Sequence, residues 1–122
     1  MITVDLINKY RSFKNKYTHS LIIIKSSCFF MVFNNDAKII AHLFNYKIRH
    51  ISNHSIVYIH PRELNTVKMK LKESKLAFIV ISTNSTYISR KNKFTNKNYE
   101  RIINEEYDSS AMMETINYLM IT

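Results

Sequence analysis

Cys28-Phe29-Phe30-Met31-Val32-Phe33-Asn34-Asn35-Asp36-Ala37 decides how this 122-residue chain is read. Six apolar or weakly polar residues, rich in Phe, meet a polar Asn-Asn-Asp run, which is the pattern of a strand feeding directly into a helix. Side chains alternate along a strand, so Phe29, Met31 and Phe33 share one face. Asn34 or Asn35 can cap the helix, and Asp36 in its first turn is favoured by the helix dipole. Ala37, Ile40, Ala41 and Phe44 then give that helix a buried stripe.

Working outward, residues 19–25 form a second Ile-rich strand, separated from the first by a Ser-Ser turn. Before it, Leu6, Tyr10, Phe13 and Tyr17 recur at helical spacing and predict an amphipathic helix over about 3–16, with Lys9, Arg11, Lys14 and Lys16 largely on its wet side. Downstream, 46–51 and 55–59 read as a hairpin around Ser52-Asn53-His54. Pro61 suits the first turn of a third helix, where its missing N–H has no partner anyway. Leu64, Val67 and Leu71 are that helix's inner stripe, while Lys68, Lys72 and Lys75 line another face. Residues 76–82 are a near-continuous apolar run, the mark of a buried strand, and 87–90 add an edge strand. The expected fold class is α/β (α+β): a small mixed sheet of about five strands surrounded by helices. A single domain over 1–122 is expected, with its core at about 3–90. A basic loop over 91–98 and an acidic C-terminal helical region over 99–122 complete it, with Met112, Ile116 and Leu119 aligned in a last helix over about 109–120.

Composition narrows the chemistry. An apolar content of 46% fits a folded chain with one core. The sequence has no glycine. That excludes the Gly-rich phosphate loops of nucleotide-binding folds, which need glycine for close backbone approach. Asn is expected to take over the tight turns, since it tolerates positive φ. The single cysteine, Cys28, cannot form an internal disulfide, which fits a reducing compartment, the cytoplasm. No signal segment is apparent, and the apolar run over 21–33 is interrupted by Lys25-Ser26-Ser27 and too short to cross a membrane. His50, His54 and His60 have no recognised ligand spacing, and no pair of acids resembles a hydrolytic site. The expectation is a non-enzymatic protein without metal or cofactor.

Charge points to a partner. Residues 1–99 carry 17 Lys/Arg against 4 Asp/Glu, whereas residues 100–122 carry 1 Arg against 5 acids. The body of the domain attracts polyanions, of which nucleic acid is the commonest.

The opening stretch, read as G-D-F-Y-E-L-F-x-D-D-A with losses, resembles the mismatch-reading segment of the MutS DNA mismatch-repair family. Lys9-Tyr10 followed by Lys14 is similar to the family's Q-Y opening and the Lys four residues after it, and the spacing from Lys14 to Phe29 matches without a gap. Asp36-Ala37-Lys38 continues as the family's D-A-K helix, with Ala41 and Leu43 near its usual positions. His60-Pro61 stands near the family's I-P-x-H segment in reversed order. Ala77-Phe78-Ile79-Val80 stands at its next buried strand, and Arg101-Ile102-Ile103 resembles its exit segment. The resemblance covers about residues 5–105 and implies the fold of the N-terminal mismatch-recognition domain as a stand-alone, divergent copy. The connector, lever, clamp and ATPase regions of the family are missing from this sequence.

The resemblance implies a DNA partner, duplex and mispaired or distorted. It makes Phe29 the residue that wedges into a base step, where an apolar side chain unstacks and kinks the duplex. The family's Glu, which hydrogen-bonds the displaced base, is Met31 here, and the family's leading Gly is Ser27. Met31 would add apolar contact without chemical discrimination. Lys14, Lys25, Lys38, Lys47, Arg49, Lys68 and Lys72 are candidate phosphate contacts, which set affinity and register rather than sequence choice. The leading expectation is therefore a DNA-binding module. The alternative keeps the fold and uses Phe29, Met31 and Phe33 in a protein-interaction or homo-oligomeric interface.

Overall fold

The computed structural model describes residues 3–82, 86–89 and 98–104. The expected basic loop over 91–98, apart from Asn98, and the expected last helix over 109–120 lie outside the described residues. Helix α1 (Val4–Lys16) starts at Thr3, whose hydroxyl accepts the Leu6 N–H at 3.1 Å, with Asp5 in the first turn. It is followed by β1 (Leu21–Ser26), β2 (Phe29–Phe33), α2 (Asn34–Phe44), β3 (Arg49–Ile51) and β4 (His54–Ile59). A 3-10 turn (Pro61–Glu63) opened by Pro61 then leads into α3 (Leu64–Glu73), β5 (Phe78–Ile81) and β6 (Thr86–Ser89). Residues 98–104 are helical.

The strands make one six-stranded mixed sheet in the order β3-β4-β2-β1-β5-β6, which is the expected α+β class. β1 and β5 run parallel, with Ile22 opposite Ile79, and the other neighbours are antiparallel. Alternation splits the sheet's side chains between two cores. Leu21, Ile23, Phe30, Val32, Val57, Ile59, Phe78 and Val80 pack with α2, α3 and the 98–104 helix. Ile22, Ile24, Met31, Phe33, Ile56, Ile79 and Ile81 pack with Tyr10, Leu6, Phe13 and Tyr17 from α1 and its end.

Two local expectations change. The N-cap of α2 is Phe33, with no side-chain capping bond, and neither Asn34 nor Asn35 caps. Asn34 takes φ +53° and its side-chain oxygen accepts the Ser55 N–H at 3.3 Å, so its polarity ties β4 to the strand–helix junction instead. The core also continues past residue 90, since Tyr99 and Ile102 are buried against α2 and α3's side of the sheet. Asn34, Asn45 and Asn53 do take positive φ, joined by Ser27, Ser52 and Lys75. Ser52 and Asn53, both at positive φ, form the primed two-residue turn that matches the right-handed twist of a hairpin.

Candidate nucleic-acid interface

Phe29 opens β2, just past the Ser27-Cys28 turn, and keeps 43% of its surface exposed. Its ring meets Tyr58 edge-on, with centroids 6.0 Å apart at 75°, and meets His60 at 6.0 Å and 81°. These neighbours follow from register: Met31 stands opposite Tyr58 and Phe30 opposite Ile59, so Phe29 continues the ladder towards His60. His60 is itself fixed, because its Nδ1 accepts the Arg62 N–H at 3.1 Å and caps the 3-10 turn. The guanidinium of Arg49, on β3, lies over the Tyr58 ring at 5.6 Å.

Met31 lies elsewhere in energetic terms. It shares the face of Phe29, as alternation requires, but only 1% of it is exposed, within the core that α1 covers. A residue so buried cannot touch DNA, so Met31 is withdrawn as a surface contact. Phe33 is buried in the same way, 5.0 Å from the Tyr10 ring.

Lys14 is corrected too. Its side chain is 20% exposed, and its ammonium donates to Asp36 Oδ1 at 2.7 Å, to the Ser20 carbonyl at 2.9 Å and to the Tyr99 hydroxyl oxygen at 3.1 Å. A charge held by a carboxylate and two further acceptors is a fastening, not a free phosphate contact. Asp36 is completely buried; the Tyr99 hydroxyl donates to its Oδ1 at 2.6 Å, and the Tyr10 hydroxyl and Ile22 N–H donate to its Oδ2 at 2.9 and 3.1 Å. Burial, and then the charge of Asp36, push both tyrosine hydroxyls far above the ordinary tyrosine range.

The remaining expected contacts divide between the two layers. Arg49 is exposed on the face of Phe29. Lys25 is exposed near the end of β1, where it lines an open cleft with Lys9, Asp5, Ser26 and Ser27. Lys38 and Lys47 are exposed on α2 and in the connection after it. Lys68 and Lys72 belong to α3, on the other side of the sheet, and hold their ammonium groups over the Tyr87 ring at 4.3 and 5.5 Å. The sheet therefore does not gather these cations around Phe29; Arg49 is the one whose contact links it to that cluster, through Tyr58. Tyr58, His60 and Lys9 were not singled out from sequence as contacts. The signal for the first two was strand register, visible once β2 and β4 are paired.

The family model for MutS domain I matches residues 4–61. This stretch is a MutS domain I-like region. It takes in α1 through β4, and so contains Phe29, Met31, Arg49, Tyr58 and Asp36. The resemblance in sequence landmarks extends to about residue 105, whereas the matched MutS domain I-like region stops at the entrance to the 3-10 turn. No curated protein matches the chain. Among the described residues no three His, Cys, Asp or Glu side chains gather as metal ligands, and no helix is long and apolar enough to cross a membrane.

Proposed function

We propose that this chain is a non-enzymatic DNA-binding module that uses its MutS domain I-like region to engage distorted or mispaired duplex. The observation that carries the reading is Phe29: a half-exposed aromatic at a strand tip, braced edge-on by two further rings, with an arginine at the flank. A braced apolar side chain can enter a base step that is already cheap to open, as mispaired steps are. Lys25, Lys38, Lys47 and Arg49 supply exposed positive charge for the backbone, with Lys68 and Lys72 a secondary set on the other layer. With Met31 buried, discrimination comes from deformability and not from a hydrogen-bonded base. The setting implied is intracellular and nucleic-acid associated, in mismatch repair or a related process.

Binding to matched, mismatched and single-stranded oligonucleotides across a salt series tests this. Affinity should fall steeply as salt rises, mismatched duplex should be preferred, and Phe29→Ala should erase the preference while leaving most of the salt-dependent affinity. No binding at low salt would overturn the proposal. A second reading, an assembly module, draws support from Ile51, exposed on the same sheet face as Phe29. Concentration-dependent dimerisation abolished by Phe29→Ala, in a chain that ignores DNA, would establish it instead.

A further inference from the structure

We propose that α3 and β6 carry a second polyanion-binding surface, centred on Lys68, Lys72 and Tyr87, through which one copy of the chain holds a further duplex segment and so bridges two. The inference rests on the DNA-binding reading above and goes beyond it, since engagement at Phe29 needs one duplex only.

The surface is built from the helix outward. Asn65, Lys68 and Lys72 fall on one stripe of α3, at i, i+3 and i+7. Lys68 and Lys72 are one turn apart, and like charges at that spacing repel. Both ammonium groups nevertheless lie over the same ring, 4.3 and 5.5 Å from the centre of Tyr87, whose negative face attracts them. Tyr87 is itself set against the core, stacked on the buried Phe78 at 5.9 Å and 28°. Two cations are therefore held side by side on a ring anchored in the sheet. Among the described residues no carboxylate pairs with either of them. Lys70 on α3 and Lys75 just after it are exposed and add charge, and Glu73 is the only acid of the helix. An anion shared by the two ammonium groups relieves their repulsion. Ammonium groups and an amide are contacts that take phosphate oxygens and read no sequence.

Position sets this surface apart from Phe29. Tyr87 stands opposite Val80, on the sheet face that α2 and α3 cover, whereas Phe29 shares its face with Met31, on the side that α1 covers. In the sheet order β6 is three strands from β2, roughly 14 Å at the usual strand spacing. Register adds a second offset. Phe29 is level with Ser26, and Tyr87 is level with Val80 and hence with Ile23, which is three residues or roughly 10 Å along the strand. A short duplex is a stiff rod, because the persistence length of DNA is about 150 base pairs. One laid against Phe29 on one face cannot also reach α3 on the other. The phosphates at Lys68 and Lys72 therefore belong to another segment, and that segment needs no mispair.

Two short duplexes test the bridge, one with a single mispair and a donor dye, the other fully matched with an acceptor dye. They are mixed in excess over the chain at low salt. Energy transfer should appear only with the chain present, and sedimentation should give two duplexes per chain. The double variant Lys68→Gln/Lys72→Gln should abolish the transfer and leave one duplex per chain, and Lys68→Arg/Lys72→Arg should retain both. Each single Lys→Gln variant should lower the salt slope of the second binding step by about 1. If circular dichroism shows the double variant unfolded, those slopes decide, and an unchanged slope in both single variants refutes the bridge. Transfer that survives in a folded double variant means that paired copies do the bridging, and it overturns the proposal. A chain that binds the mispaired duplex and gives no transfer also overturns it, leaving the DNA-binding reading intact and α3 to an acidic protein partner. If no duplex binds at low salt, the DNA reading itself fails, and the bridge with it.

Discussion

Replacing Asp36 by Asn keeps the size of the side chain and removes its charge. The carboxylate is completely buried and takes four donors: Lys14 and Tyr99 on one oxygen, Tyr10 and the Ile22 N–H on the other. An amide has one oxygen, so in either orientation its NH2 group faces two donors. Either orientation removes the counter-charge of the Lys14 ammonium; one also sets the NH2 group against that ammonium and the Tyr99 hydroxyl, and the other strands the Ile22 N–H while the Tyr10 hydroxyl keeps the Phe33 carbonyl. A stranded buried donor costs about 1–3 kcal/mol, and removing one partner of a buried ion pair about 3–5 kcal/mol. Lys14 is 20% exposed and keeps the Ser20 carbonyl, so part of its charge stays solvated. That places the expected loss at about 3 kcal/mol, near the low end of the buried-pair range.

Against a total stability on the order of 5–15 kcal/mol, such a loss makes the domain marginal. At about 4 °C per kcal/mol for a chain of this size, the melting temperature should fall by about 12 °C. Urea and thermal unfolding followed by far-ultraviolet circular dichroism read this directly. Lys14→Met and the double variant close a thermodynamic cycle. Removing both charges should cost less than the sum of the single losses, with a coupling of at least about 1 kcal/mol. An Asp36→Asn variant within about 1 kcal/mol of the parent, or a strictly additive cycle, would refute this account of the network.

Three further outcomes follow from the same packing. Tyr10 and Tyr99 stay protonated in the folded chain to far higher pH than in the unfolded one, whose tyrosines ionise near 10. Above that pH the unfolded state binds fewer protons, so stability should fall by about 1.4 kcal/mol per pH unit for each of them. Urea midpoints between pH 8 and 11 should show the fall, with a slope reduced by half in Tyr99→Phe; an unchanged slope counts against the assignment. Met31→Glu, which restores the family's carboxylate, should destabilise by about 3–5 kcal/mol at pH 7, as expected for an unpaired buried charge. The deficit should shrink towards pH 4.5 as the new group protonates, and a stable Met31→Glu variant at pH 7 would show that position 31 can reach solvent. Lys75 holds φ +56°, a conformation that favours glycine, so Lys75→Gly should raise the urea midpoint by about 0.5–1 kcal/mol of stability. A lowered midpoint would mean that the lysine side chain contributes more than its backbone strain costs.

What was legible in the sequence was whatever has a short period. Leu6, Tyr10, Phe13 and Tyr17 announce α1 because helical spacing is local, and all four pack on one core. The strand-to-helix junction at 33–34 and the Pro61 entry into the third helix are legible for the same reason. The network around Asp36 was not. Its partners come from positions 10, 14, 22 and 99, and nothing near Asp36 distinguishes an inward carboxylate from one that merely suits a helix dipole. Lys14 accordingly looked like any surface lysine. Met31 was placed on the right face, but alternation cannot say how far a covering helix extends over that face. The role of 98–104 was hidden behind its acidic neighbours, although Tyr99 and Ile102 at a spacing of three were the available hint.

The reach of α1 is what separates folding from recognition within the one motif. Along a single face of β2, Met31 and Phe33 are each 1% exposed, whereas Phe29 is 43% exposed. Tyr10 fixes this boundary, since its ring packs on Phe33 and its hydroxyl on Asp36, so the Asp at the end of the motif holds down the helix that covers the middle. The Asp therefore serves the fold, and position 31 is closed to any ligand while α1 stays in place. Only the tip remains open to a partner, and it carries the exposed Phe29 ring with Tyr58, His60 and Arg49 around it, so the carboxylate of the motif takes no part in any contact made there.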